Sequence, residues 1–555
     1  MNQDLSRELT ERLRESGGPE ILTADSPGYD EKRQIFNNLL QFRPAAIVLV
    51  ENERQVSAIV QLANDFPLEI ELKVRSGGHD HEGECTGTDV VLIDFSKMCE
   101  VRVEGEIVTI EPGARFRQIK PVLDAHHLGI PHGTCETVCA TGFTLGGGWG
   151  PWTRVHGMGC EHLIGADIVL GDGEFKRLRA GKDPQGSPEA DLLWALRGGG
   201  GFSYGIVTAL YYKAFRLPEH LCSFNLHCKD EWPRRSAFDI MGCWERAIAG
   251  DQNHRLVGTN LKVVAEHLEP GREPDPEAVL ECVFNGYYAG TEEQARRMIE
   301  EYFGSGPLRN LAVQVHRGPE MLLKGANVTP EWHFDSWDRH VPSKVLRAKQ
   351  LLQLGSSPED FHPGIILEDD GPAPHRITSR LADRSWDDES RKALISSLQS
   401  RWVPTRQDLE PDGKPNDFAI NNYITLGAIT GPFYETYDRE RHLPSAFPYK
   451  DRLFTIQYQV WWDQFLTPDG EPVGNPASRR RATLDNRQWA NRAQDWIDAC
   501  REYPIPNTGG AFISFKDSSV LTETYFSESY QRLKEIKLKH SQDRHLLFRS
   551  RKTII

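Results

Sequence analysis

The stretch from His132 to Gly150 constrains this chain more than any other. It carries Cys135 near its start, and five of its last nine residues are glycine: Gly142, Gly146, Gly147, Gly148 and Gly150. Glycine at this density serves backbone that turns sharply or lies against a ligand with no Cβ between. A second glycine turn, Arg75-Ser76-Gly77-Gly78-His79 with Gly83 behind it, follows an apolar run, and His79 precedes Cys135 by 56 positions. Two glycine loops, one presenting an imidazole and one a thiol, suit a large planar cofactor gripped from both sides.

The pattern around these loops alternates between short apolar runs and helical stripes. Strands are expected over Phe42–Val50, Ile70–Val74 and Val90–Asp94, with a hairpin across Glu104-Gly105-Glu106. Helices are expected after Glu51 and over Ile119–Leu128. Strand and helix alternating with glycine at the joints indicates an α/β arrangement in the N-terminal part. Beyond residue 216 the texture changes. Leu256–Val264 and Ala278–Phe284 read as strands between helix-like stretches such as Glu292–Tyr302, which fits antiparallel strands with helices on one face.

The formal net charge over 555 residues is −15, which argues against nucleic acid or an anionic membrane as a partner, since both need a basic face. No apolar run approaches the roughly 18 residues of a membrane span. The charged N-terminus has no apolar segment of the kind a secretory signal carries. Ten cysteines are scattered without a tight framework, so a reduced, cytoplasmic setting is expected.

Gly133-Thr134-Cys135-Glu136-Thr137-Val138, with the strand-Arg-Ser-Gly-Gly-His segment before it, resembles the flavin-attachment segments of the vanillyl-alcohol oxidase/p-cresol methylhydroxylase superfamily. Within it, the berberine-bridge-enzyme-like branch is the best match. The resemblance continues through Val155-His156-Gly157 and the loop Gly198–Gly205, covers residues 30–215 densely, and thins over 216–505. It implies an α+β, two-domain FAD-binding fold of the p-cresol methylhydroxylase type: an FAD domain (1–215), a substrate domain built on an antiparallel sheet covered by helices (216–505), and a C-terminal return to the FAD domain (506–555). It also implies FAD tied covalently to both His79 and Cys135. Arg75, Ser76, Gly77 and Gly78 would surround the pyrophosphate with backbone N–H groups. Gly83, Gly142, the glycines from Gly146 to Gly150, His156, Gly157, Gly205, Ile206 and Val207 would complete the cradle. The activity implied is hydride transfer from an alcohol- or amine-type carbon of a bulky secondary metabolite or sugar-bearing small molecule to flavin, then to O2, giving H2O2. Val138 would leave room for oxygen beside the flavin. Cys139 stands where the family packs a small residue, and is read as structural.

The departures concern proton chemistry. The family often carries Tyr-x-Asn-Tyr-x-Asp before its closing helix; this chain has Phe512-Ile513-Ser514-Phe515-Lys516-Asp517, so neither tyrosine is available as a base. Tyr458 and Tyr423, on expected substrate-domain strands, are the candidate replacements. Without those tyrosines, an oxidative cyclisation or a non-redox rearrangement also stays open. Gly201-Phe-Ser203-Tyr-Gly205 matches the nucleophile elbow of serine hydrolases, which needs a strand just before it. A zinc reading of His79, His81 and Cys85 lacks a second ligand pair at the usual spacing, and no metal is expected.

Overall fold

The computed structural model describes the chain apart from residues 1, 16–17, 67–69, 183, 185, 229–234, 251–254, 317–372, 406–407, 409–419, 439–441, 463–464, 467–471, 474–485, 544–546, 550–553 and 555. Part of the C-terminal tail that departs from the family, residues 544–546, and much of the Pro-rich stretch 306–420 therefore lie outside the described residues.

Three sheets organise the molecule. The first has four strands in the order Glu20–Leu22, Ala46–Leu49, Val91–Asp94 and Leu72–Arg75, the last three parallel. Helix Glu53–Ala63 buries Val56, Ile59, Val60 and Ala63, and Asn52 caps it by accepting from the Gln55 N–H. The second sheet has five antiparallel strands in the order Val101–Glu104, Ile107–Ile110, Ile206–Lys213, Leu163–Val169 and Phe175–Arg179. The α/β expectation thus holds for the first sheet only. Tight Glu-Gly and Asp-Gly connections join neighbours in the second, and such turns link antiparallel strands without a crossover helix. The molecule as a whole is α+β.

The third sheet is built from strands beyond residue 216. Its eight strands run in the order Leu311–His316, Leu221–Cys228, Cys282–Tyr288, Leu256–Val264, Ile420–Ala428, Phe454–Trp462, His375–Ala382 and Thr508–Gly509, each antiparallel to its neighbours. Successive strand residues point to opposite faces, and the two faces differ sharply. One carries Leu261, Phe284, Leu426, Ile456, Tyr458 and Val460 into a core shared with Trp244, Trp489 and Trp496 of the covering helices. The other carries Asn225, Asn285, Asn260, Lys262, Tyr423, Thr425, Gln457, Gln459, Ser379 and His375 at matching register positions. A buried polar face is costly unless its groups find partners; here it is turned toward the glycine loops.

The C-terminal segment leaves this sheet after Thr508–Gly509 and runs into helix Tyr530–His540. That helix packs on Pro188–Leu196, with Arg532 3.0 Å from Asp191 and its guanidinium 4.0 Å from the Trp194 ring centre. The buried pair Lys537–Asp543, at 2.6 Å, fixes the turn beyond it.

Candidate active site

The two glycine loops meet. His79 Nε2 lies 2.8 Å from the Thr137 hydroxyl, two residues beyond Cys135. A Cβ on Gly77 would stand 3.0 Å from Cys139 Sγ and 3.1 Å from the Cys139 nitrogen, so only glycine lets the turn lie flush on the second loop. Cys135 is half-buried. Cys139 is buried, its thiol pushed up to about 12 by burial, and its Sγ donates to the Gly113 carbonyl at 3.3 Å; it is a packing residue. Phe36 stacks on His79 with ring centres 3.9 Å apart.

The second glycine run is bound to its neighbours through backbone. Gly159 N–H donates to Gly148 O, Cys160 N–H to Gly147 O, and Gly200 N–H to Leu145 O. Trp149 donates its indole N–H to Ala428 O at 2.9 Å, which seats the polar sheet face over this loop. A Cβ on Gly147 would come within 3.1 Å of Phe447 and 3.2 Å of Phe512. Phe447 is set in place by Arg197, whose backbone carbonyl accepts from the Ala446 N–H and whose buried guanidinium pairs with buried Glu161 at 3.3 Å.

Contacts inside the fold hold several of the candidate residues in place. The Arg75 guanidinium is spent inside the fold, on Asp94 at 2.7 Å and on the Lys32 and Gln34 carbonyls, so only the backbone of its loop is available to a phosphate. His156 lies flat on Phe215, ring centres 3.6 Å apart, and burial brings its imidazole down to about 3, so it is neutral. Gly157 turns against Phe433. Gly205, Ile206 and Val207 enter the central strand of the second sheet with both side chains in the core. Val138 is half-buried at the edge of the core beneath the loops.

Tyr458 is not on the polar face. It is fully buried on the helix-covered face, with Trp496 6.1 Å away, and burial drives its phenol far up. Its strand alternates as expected, but helix Asn486–Glu502 claims the face that Tyr458 shares with Ile456 and Val460. Tyr423 is on the opposite, polar face, where its hydroxyl donates to Gln459 Oε1 at 2.9 Å. The same oxygen accepts the Trp461 indole N–H at 3.0 Å, and Lys262 Nζ stands 4.4 Å from the Tyr423 ring centre. Ser203 is no nucleophile either. It is buried, the strand of its region begins after it at Ile206, and its Oγ accepts from the Ile554 N–H. The hydrolase reading is set aside on that geometry.

The segment with the two phenylalanines is clasped to the His79 loop. Lys516 bridges Asp80 and, at 3.3 Å, Glu84, which brings Phe515 to within 5.8 Å of the His81 ring, centre to centre. His81 in turn touches His375, Nδ1 to Nε2 at 2.8 Å, and Trp461 stacks on His375 at 4.0 Å. His375, Trp461, Gln459, Lys262 and Lys516 carry no motif. Only their places on alternating strands, or next to motif residues, mark them.

A family model described as the FAD binding domain matches residues 44–179. The overall architecture matches glucooligosaccharide oxidase from Acremonium strictum over 98% of each chain, with a TM-score of 0.69 at 18% identity. That structure's description names a 6-S-cysteinyl, 8α-N1-histidyl FAD in that protein. The fold is therefore that of the FAD-linked oxidases of the vanillyl-alcohol oxidase/p-cresol methylhydroxylase type. Berberine bridge enzyme-like 12 of Arabidopsis thaliana is 30% identical over 547 residues, 94% of this chain and 86% of that one. This chain belongs to the berberine bridge enzyme-like family. Glucooligosaccharide oxidase of Sarocladium strictum is 32% identical over 206 residues, 36% of this chain and 40% of its own length, so that match spans less than half of either protein.

Proposed function

We propose that this chain is an FAD-dependent oxidase that holds its flavin through both His79 and Cys135 and oxidises an alcohol- or amine-type carbon of a hydroxyl-rich small molecule. The observation that carries the reading is the contact between His79 and Thr137 at 2.8 Å. The C8 methyl and C6 of an isoalloxazine lie on the same ring edge, so double attachment needs an imidazole and a thiol side by side. The residues fit the group. The Thr141 and Thr208 hydroxyls are buried without a partner among the described residues, and a Cβ on Gly142 would meet nothing within 4 Å, so room is left beside that loop.

Bound FAD supplies the two-electron acceptor, and O2 restores it with release of H2O2. The chain's own groups do the rest. The glycine loops give backbone N–H donors to the anionic part of the cofactor. The polar sheet face, with Asn260, Lys262, Thr425 and Gln457 at matching register, suits a hydroxylated substrate better than an apolar one. A sugar-bearing substrate suits it, as does the name of the relative from Sarocladium strictum. The scattered cysteines favour a reducing, cytoplasmic setting.

Acid precipitation of the purified protein tests the attachment. Wild type, His79→Ala and Cys135→Ala should each keep yellow colour in the pellet, and the double variant should release it. Complete release from either single variant would refute bicovalent attachment. Oxygen uptake with cello- and malto-oligosaccharides and a panel of bulky alcohols tests the oxidase; turnover of a substrate with no oxygen uptake would instead indicate a cyclisation or rearrangement.

A further inference from the structure

The loss of the two family tyrosines leaves the oxidase reading without a proton acceptor, and the inference below rests on that reading. The contacts around His81 supply one by elimination of hydrogens. His375 Nδ1 lies 2.8 Å from the Ala373 carbonyl, which can only accept, so Nδ1 carries the hydrogen of a neutral ring. His375 Nε2 is then a lone pair, and it lies 2.8 Å from His81 Nδ1. His81 Nδ1 must donate to it. In neutral His81 the remaining nitrogen, Nε2, is consequently a lone pair, with no hydrogen-bond partner among the described residues. A fixed tautomer of this kind, set by the partner of the other nitrogen, is how imidazoles are prepared as bases.

The position fits the task. His81 stands two residues after His79, on the loop proposed to carry the flavin, and packs against Phe515, which occupies a family tyrosine position. Its partner His375 belongs to the polar sheet face and is sandwiched by Trp461. Tyr423 is the weaker candidate, because its hydroxyl proton is already committed to Gln459.

We propose that His81, oriented by His375, is the catalytic proton acceptor of this enzyme. The substrate O–H bond breaks and its proton goes to His81 Nε2. The electron pair left on oxygen becomes the second C–O bond, and the hydrogen on carbon leaves with its pair for the flavin. The two electrons and two protons end on O2 as H2O2. His375 is a positioning residue: it accepts the His81 Nδ1 hydrogen and so keeps Nε2 bare.

The charged and titratable groups acting on His81 are Asp80 on its own loop, Lys516 on the C-terminal segment and His375 on the sheet. Burial brings the His81 imidazole down to about 4, with Asp80 opposing and Lys516 adding to the shift. It is therefore unprotonated at neutral pH.

The test uses the flavin-loaded enzyme and two readouts. Diethyl pyrocarbonate at pH 7, followed by peptide mass spectrometry, should acylate His81, and the rate should fall as pH drops through the His81 titration. Anaerobic mixing with cellobiose or the best substrate of the panel above should give a flavin-reduction rate roughly 10²–10⁴-fold lower in His81→Phe, the scale of a lost general base. That variant should also lose the acid limb of the wild-type rate–pH profile. His375→Phe should lower kcat with KM unchanged, and His375→Gln, whose amide oxygen can accept the same hydrogen, should restore most of it. A wild type that is reduced, together with a His81→Phe that is reduced equally fast, overturns the proposal and leaves the oxidase reading standing. A His81 left unmodified while surface histidines react overturns it as well. A wild type that no member of the panel reduces overturns both.

Discussion

Lys516 and Asp80 form a buried ion pair that ties the C-terminal segment to the loop of His79, with Glu84 as a second acceptor 3.3 Å from the ammonium. Burial alone would raise the Asp80 carboxyl, but Lys516, with the Glu84 N–H and His81, more than offsets this and the net shift is downward. Burial likewise pulls Lys516 down, and the two carboxylates more than reverse it. The Asp80 contribution to stability is thus complete above its ordinary value of 3.8 and is lost as pH falls through the lowered one. The Lys516 contribution is complete below 10.5 and is lost only as pH rises through the raised value.

Lys516→Met should therefore be costly near neutral pH. It strands two carboxylates away from water, and breaking such a pair costs about 3–5 kcal/mol. Thermal unfolding at pH 7 should show a clearly lowered midpoint, recovered in large part by Asp80→Asn/Glu84→Gln/Lys516→Met together. Equal midpoints for Lys516→Met and wild type would show that the clasp contributes nothing.

Val138 is half-buried on the turn that follows Cys135. If its small side chain keeps a path for O2 to the flavin, Val138→Ile should slow reoxidation of the reduced enzyme while leaving reduction by substrate unchanged. Stopped-flow traces with equal reoxidation rates would remove Val138 as a gate.

Tyr458 belongs to the core, and its substitutions should behave accordingly. Tyr458→Phe should leave flavin content and the rate of flavin reduction at wild-type levels. Tyr458→Ala opens a cavity against Trp496 and should cost about 3–5 kcal/mol, as for other large aromatic deletions. A large fall in flavin reduction by Tyr458→Phe, with folding intact, would contradict the face assignment.

The loops were legible in the sequence because glycine density and a reactive side chain coincide twice, at Gly77–His79 and at Cys135–Gly150. The sheet was legible only in part. Alternation along Phe454–Trp462 divides Tyr458 from Gln459, but a period of two carries no sign. The sign comes from helix Asn486–Glu502, which covers one face with Trp489 and Trp496. The Arg75 loop reads as a phosphate cradle through its backbone N–H groups, but no local pattern shows that Asp94, on the adjacent parallel strand, holds the guanidinium. The base candidate His81 is not legible in the sequence, since its partner His375 is 294 positions away and no local pattern joins them.

The contact between Gly77 and Cys139 gives the most specific test of how the two loops assemble. An alanine Cβ at 77 would face Cys139 Sγ at 3.0 Å, the Cys139 nitrogen at 3.1 Å and the Thr137 carbonyl at 3.3 Å. The sulfur can be removed by mutation, but the two backbone atoms cannot. Gly77→Ala should therefore push the loops apart and cost about 1–3 kcal/mol, as overpacking does. Covalent flavin, measured as yellow colour retained after acid precipitation, should fall with it. Adding Cys139→Ala removes the nearest clash and should restore part of the stability and part of the attachment, while Cys139→Ala alone should leave attachment intact because its thiol is a packing group. If Gly77→Ala carried wild-type amounts of covalent flavin and melted at the wild-type temperature, close approach of these loops would not be what sets the attachment site.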